Sequence, residues 1–174
     1  MRETSEDVTA GHLGAQVRVE AKLEELGLAL PEPMRIPPDV RLPFAFARVY
    51  GRRVYIAGHG PQAPDGSFAF RGKVGSDVST EEAYVAARLT ALSILGTLKR
   101  ELGDLDRVTA WLRVFGMVNS APGFEEQPSV INGFSDLILE LYGPEAGRHA
   151  RSAVGLAELP FGIPVEIEAE AALD

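Results

Sequence analysis

The side chains best equipped for chemistry lie in one run near the carboxyl end, Gly147-Arg148-His149-Ala150-Arg151-Ser152-Ala153-Val154, with Glu166 on the segment that follows. Arg151 is the most informative of them. A guanidinium presents a planar fork of donors that matches a carboxylate bidentately. Period-two alternation in a strand puts Arg151, Ala153 and Gly155 on one face and Ser152, Val154 and Leu156 on the other. The second set reads as core-directed. Arg151 is then expected to point away from the core, with space for a ligand beside Ala153 and Gly155. The same residues also fit a surface arginine or an ion pair with Glu166. Glu166 alternates with Val165, Ile167 and Ala169, so it is either a carboxylate placed for acid–base work or one of a solvated row with Glu168 and Glu170.

Other residues carry weaker signals. Gly58-His59-Gly60-Pro61 directly follows a strand-like run, where glycine allows a ligand or another backbone to approach closely, or simply forms a loop. His59 is able to exchange a proton near neutral pH or to make a loop hydrogen bond. Asn119 and Asn132 suit turns and helix caps as well as ligands. Trp111, between Ala110 and Leu112 on a strand, reads as core. The familiar signatures GxGxxG, P-loop, HExxH and GxSxG are absent. With no cysteine, thiolate nucleophiles, disulfides and Cys-ligated zinc are excluded. A net charge of −8 and a pI near 4.9 oppose binding to a phosphate backbone, so no nucleic-acid partner is expected.

These residues need elements to position them. The 174-residue length suits one domain. Residues 1–42 read as an N-terminal extension. In it, Gln16 to Leu26 forms a short amphipathic helix with Val17, Leu23 and Leu26 among charges and Gly27 at its end, and a linker follows with Pro31, Pro33, Pro37 and Pro38. The opening stretch lacks the apolar run of a signal peptide or spanning helix, so a cytoplasmic protein with no membrane role is expected. Residues 43–174 form the main domain. Phe46–Tyr50 and Val54–Ala57 read as a hairpin through Gly51-Arg52-Arg53. Ser79-Thr80-Glu81-Glu82 is a capping box that opens a helix to about Leu102, which Gly103-Asp104 ends. Val108 to Val118 is a strand, and Phe124 to Tyr142 a second helix that Gly143-Pro144 stops. Arg151–Glu158 and Val165–Ala171 are the closing strands. This grouping is α+β, with both helices on one face of a mixed sheet. Nothing remains to cover the opposite face, so association with other copies is expected.

Over about Pro43 to Leu173 the chain resembles the Rid family, also called YjgF or endoribonuclease L-PSP. The resemblance rests on Val54-Tyr55-Ile56-Ala57-Gly58-His59-Gly60-Pro61, on Asn119-Ser120-Ala121-Pro122-Gly123-Phe124 with Ile131-Asn132-Gly133, and most on Arg151-Ser152-Ala153-Val154, Leu159-Pro160 and Val165-Glu166-Ile167-Glu168-Ala169. The longer leader and the Asn-Ser-Ala-Pro-Gly-Phe stretch are similar to a divergent subgroup. The resemblance implies a chorismate-mutase-like fold and a homotrimer with ligand clefts between subunits. It puts the carboxylate-binding arginine at Arg151, the water-orienting glutamate at Glu166, the asparagine near the second helix at Asn132, and the ligand-facing loop at Gly58 and His59. It implies hydrolytic deamination of a small carboxylated enamine or imine to ammonia and a 2-oxo acid, with no metal or organic cofactor. The same architecture also suits a protein that holds such a carboxylate without turnover. Phe44 stands where deaminases carry a tyrosine, and Ala153 where many carry a cysteine.

Overall fold

The computed structural model describes residues 19–174. Its elements run α1 (Val19–Glu25), β1 (Ala47–Tyr50), β2 (Arg53–His59), α2 (Thr80–Leu102), β3 (Val108–Asn119), α3 (Gln127–Ala146), β4 (Ala150–Leu156) and β5 (Val165–Leu173). One sheet has the order β1-β2-β5-β3-β4; every neighbour is antiparallel except β3 and β4, which are parallel. The α+β arrangement expected of the sequence is present, and β1 and β4 are the edges.

Local chemistry explains the elements. At α2, Ser79 accepts from the Glu82 amide at 3.1 Å while the Glu82 carboxylate accepts from the Ser79 amide at 2.9 Å, and Gly103 ends the helix at φ 80°. Gly143, at φ 75° and ψ 176°, breaks α3 where Gly143-Pro144 predicts a stop, and a last turn follows to Ala146. The start of α3 is later than predicted. Residues 121–124 close a turn, with Phe124 N–H donating to Ala121 O at 3.1 Å, and Pro128 occupies the first helical turn, where it forfeits no hydrogen bond.

Helices α2 and α3 lie together on one sheet face. Gly133 permits their close approach, since a Cβ there would stand 2.0 Å from the Tyr84 carbonyl oxygen. Gly116 does the same between β3 and α3, where a Cβ would meet Ile131 at 2.6 Å. Beneath the helices Val54, Ile56, Val114, Val118, Val165, Ile167 and Ala171 form the sheet's share of a continuous core. Trp111 is core as predicted, with its ring edge-on to Phe134 and Tyr142; its Nε1 is buried without a partner among the described residues. The other face, with Tyr55, Phe115, Met117, Glu166, Glu168 and Glu170, is not covered by any described segment.

The leader is built into this core. Val19 and Leu23 of α1 are buried in it, Val19 N–H donates to Asp106 at 2.9 Å, and Glu20 pairs with Lys99 at 2.6 Å. Gly27 ends α1 at φ 65°, with Leu28 N–H reaching Leu23 O at 2.8 Å and Gly27 N–H reaching Glu24 O at 3.0 Å, a Schellman pattern. Leu26 is exposed, and Val17 lies outside the described residues.

Candidate functional site

Arg151 does not point away from the core layer. In the parallel pairing of β3 and β4 it sits beside Val114, which is fully buried under the helices, and Ala153 sits beside Gly116. Residues paired in this way share a face, so Arg151, Ala153 and Gly155 face α3, and Ser152, Val154 and Leu156 face the open side. Alternation separates the two sets but does not say which one meets the helices. An arginine is tolerated on the helix side because β4 is an edge: its guanidinium passes beside the sheet to the exposed flank of α3.

There it is held firmly. One terminal nitrogen, Nη1, donates to Asn132 Oδ1 at 2.9 Å and to Ser135 Oγ at 3.0 Å; the other, Nη2, donates to Pro128 O at 3.3 Å. Pro128, Asn132 and Ser135 recur at helical spacing, so one flank of α3 supplies all three acceptors. Ser135 also bonds His149 Nε2 at 3.0 Å, and His149 Nδ1 lies 2.8 Å from Gly147 O. A carbonyl only accepts, so Nδ1 carries the proton and Nε2 accepts from the Ser135 hydroxyl. Burial holds the His149 pKa below its ordinary value, with the Arg151 charge acting in the same direction. Among the described residues three of the five guanidinium donors are engaged, which leaves Nε–H and one Nη2–H on the two nitrogens of one edge of the guanidinium. That pair is the fork a carboxylate takes bidentately. Ser135 and His149 went unassigned in the sequence; the i, i+3 relation of Ser135 to Asn132 is the signal that finds the former.

Glu166 stands on the opposite sheet face. It is paired with Met117 on β3, whereas Arg151 shares its face with Val114 and Ala169. Its carboxylate lies against the backbone of Gly58, where a Cβ would come within 1.9 Å of Oε1. A side chain at position 58 would displace the carboxylate from this place. Burial raises the Glu166 pKa, and the neighbouring Glu168 charge raises it further. Among the described residues no cation pairs with it. A carboxyl so placed is suited to taking up and returning a proton.

Gly58 and His59 belong to β2 rather than to a loop, and the His59 ring turns inward with 1% exposure. Its Nδ1 is 2.7 Å from Ala57 O and its Nε2 2.9 Å from Thr97 Oγ1 on α2, and burial lowers its pKa to about 4. It therefore cannot offer a ligand the polarity that Phe44 lacks. Phe44 is exposed, its ring edge-on to Phe46 at 5.4 Å. Asn119, at the end of β3, is a buried tie: Nδ2 donates to Ile163 O at 3.2 Å and Oδ1 accepts from Lys73 at 3.0 Å. The open face also holds a cavity of about 270 Å³ lined by Arg48, Tyr55, Phe115, Arg113, Glu168 and Glu170 among others. The candidate residues thus fall into two groups, Arg151 with Asn132 at the β4 edge and Glu166 with Gly58 on the open face.

The model of the YjgF/chorismate-mutase-like endoribonuclease family matches residues 20–162. The chain belongs to this family. Protein TCP17 of Trypanosoma cruzi is 40% identical over 155 residues, 89% of this chain and 94% of that protein. The crystal structure of Atu1372 from Agrobacterium tumefaciens, a protein of unknown function, superposes with a TM-score of 0.78 at 39% identity, covering 90% of this chain and 92% of that one. A candidate endoribonuclease from Shewanella oneidensis gives a TM-score of 0.80 at 29% identity, covering 90% and 99%. The family match begins at residue 20, within α1, whose Val19 and Leu23 are buried in the core of this chain. Among the described residues no helix is long and apolar enough to cross a membrane.

Proposed function

We propose that the chain is a hydrolytic deaminase of small carboxylated imines, working as a homotrimer in which Arg151 of one subunit faces Glu166 of the next. The observation that carries this reading is the Arg151 fork, held by three bonds to acceptors on α3 with two of its donors free among the described residues. A single chain does not complete the site, because its guanidinium and its carboxylate lie on opposite faces of the sheet. A second copy covering the open face brings a β4 edge to Gly58 and Glu166 and meets the sheet's need for cover.

In such a cleft the substrate carboxylate sits on Nε and Nη2 of Arg151, which presents the imine carbon to the neighbouring subunit. Glu166 takes a proton from water as its oxygen bonds to that carbon. The same carboxyl returns that proton to the imine nitrogen, giving a carbinolamine; it then relays the hydroxyl proton to the amino nitrogen, so that C=O forms as the C–N bond breaks, ammonia leaves and the 2-oxo acid remains. Acid–base catalysis of this kind supplies on the order of 10²–10⁴-fold, and fixed orientation supplies more. Neither a metal nor an organic cofactor enters this scheme. A cysteine-free chain suits a reducing cytosol.

Phe44 and Ala153 favour a second reading. They leave the site without the phenol and thiol of the deaminases it resembles, as in a protein that binds a metabolite carboxylate without turnover. Ammonia release from a 2-imino acid, freshly generated by an amino-acid oxidase, separates the two. The deaminase releases ammonia above the spontaneous rate and loses that activity in both Arg151→Ala and Glu166→Gln. The binding protein takes up a 2-oxo acid, loses it in Arg151→Ala, and never exceeds the spontaneous rate.

A further inference from the structure

Between Ile56 and His59 the pairing of β2 with β5 gains a residue. Ile56 stands opposite Ala169 and His59 opposite Ile167, three steps on one strand against two on the other. This is a β-bulge. Ala169 and Ile167 both face the helices, so Ile56 and His59 both turn inward, and Ala57 and Gly58 absorb the extra residue. Without the bulge Gly58 would fall opposite Ile167, facing the helices, and His59 opposite Glu166. The bulge is therefore what sets Gly58 under the Glu166 carboxylate, which takes the space a Cβ would need.

A bulge leaves backbone groups outside the regular ladder, and the Ala57 carbonyl is met by the imidazole. Because a carbonyl only accepts, Nδ1 of His59 donates to Ala57 O at 2.7 Å. Nε2 then accepts from the Thr97 hydroxyl at 2.9 Å, and Thr97 Oγ1 accepts in turn from Arg100 Nη2 at 3.2 Å. Every link has one direction. The ring is wedged against Phe46 as well, with centroids 5.3 Å apart. The same construction recurs beside Arg151, where Arg151, Ser135 and His149 end on Gly147 O, again two residues before the histidine.

We propose that His59 is a positioning residue for Glu166: from behind the sheet its Nδ1–H pins the Ala57 carbonyl in the bulged form, which fixes Gly58 where the carboxylate lies against it. The catalytic consequence rests on the deaminase reading, whereas the geometric claim does not, and the test keeps them apart. The full chain carrying ¹³C-carboxyl glutamate is titrated by NMR, with the Glu166 signal assigned by its loss in Glu166→Gln. In the unsubstituted protein Glu166 titrates above an ordinary glutamate. His59→Leu, which has no donor, is expected to move this midpoint down as the carboxylate leaves the backbone, and to lower kcat for ammonia release on the order of tenfold with KM little changed. His59→Gln, whose amide can donate to the same carbonyl, restores both. Thr97→Val unties the far side of the ring and shifts the midpoint in the same direction by less, which serves if His59→Leu does not fold. An unmoved Glu166 midpoint in folded His59→Leu or in Thr97→Val overturns the proposal, as does a His59→Gln chain shifted as far as the leucine variant. If the unsubstituted protein releases no ammonia, the deaminase reading fails while the titration still decides the role of His59.

Discussion

A carboxyl group that is largely buried, next to another carboxylate and without a cation, destabilises the folded chain whenever it is charged. Among the described residues Glu166 is such a group. Its folded pKa lies above the unfolded one, so the cost is present above the folded pKa and disappears as pH falls through it. Glu166→Gln is therefore expected to raise Tm at neutral pH, with an advantage that shrinks on acidification; equal melting curves at pH 7 would show that the carboxylate carries no such cost. His59 has the opposite sign. Its folded pKa of about 4 lies below the unfolded value of 6.5, so its stabilisation is complete above 6.5 and is lost as pH falls from there toward 4. Thermal melts of His59→Gln against the unsubstituted protein over that window should show the acid-side loss flattened. At Arg151, substitution by alanine is expected to remove about 1.5–3 kcal/mol per charged hydrogen bond to substrate, at least about tenfold in kcat/KM. Arg151 is singled out by its type and its place on a strand, whereas Glu166, Gly58 and Asn132 enter through the family resemblance; the structure sets Asn132 against Arg151 and Gly58 against Glu166. The sequence did not tell which way Arg151 faces, since alternation is symmetric between faces, nor that Ser135 and His149 brace it, since that depends on how α3 lies along β4.

Elements were legible where a local rule acts alone. The capping box at Ser79, the glycine stop at Gly103 and the Gly143-Pro144 break all stand where the sequence puts them, since each satisfies its own backbone groups. The β2 bulge was not legible: it inserts one residue into a period of two, and only the partner strand reveals the slip. Hence β2 reads as ending at Ala57 although it runs to His59. Two substitutions test how much these features contribute. Ser79→Ala removes one half of the capping box and should cost about 1 kcal/mol. In a domain of this size that lowers Tm by roughly 2–4 °C. Gly133→Ala improves helix propensity, yet its Cβ would lie 2.0 Å from a backbone oxygen of α2 that no side-chain rotation can clear. The clash should win, with a net loss of about 1–3 kcal/mol in denaturant unfolding. A stabilised Gly133→Ala variant would mean that α2 and α3 are further apart than described.

On the scale of the whole molecule, the division of the candidate site between two sheet faces leads to an experiment that needs no further structure. Arg151→Ala retains Glu166, and Glu166→Gln retains Arg151, so each alone lacks one half of every site. If a site joins Arg151 of one subunit to Glu166 of the next in a closed ring, mixed trimers regain intact sites. Each mixed ring of three holds one interface at which an unaltered Arg151 meets an unaltered Glu166. Co-refolding the two variants in equal amounts should then restore about a quarter of the wild-type sites, since roughly three-quarters of randomly assembled trimers are mixed. The recovered ammonia release should grow with time of subunit exchange and run with the trimer on size exclusion. If both residues serve one site within a single chain, no mixture regains activity, because no chain in it carries both. A mixture that stays silent while exchange is complete, beside an active unsubstituted protein, would place Arg151 and Glu166 in the same subunit's cleft and require β4 to lie against the open face in a way the described chain does not allow.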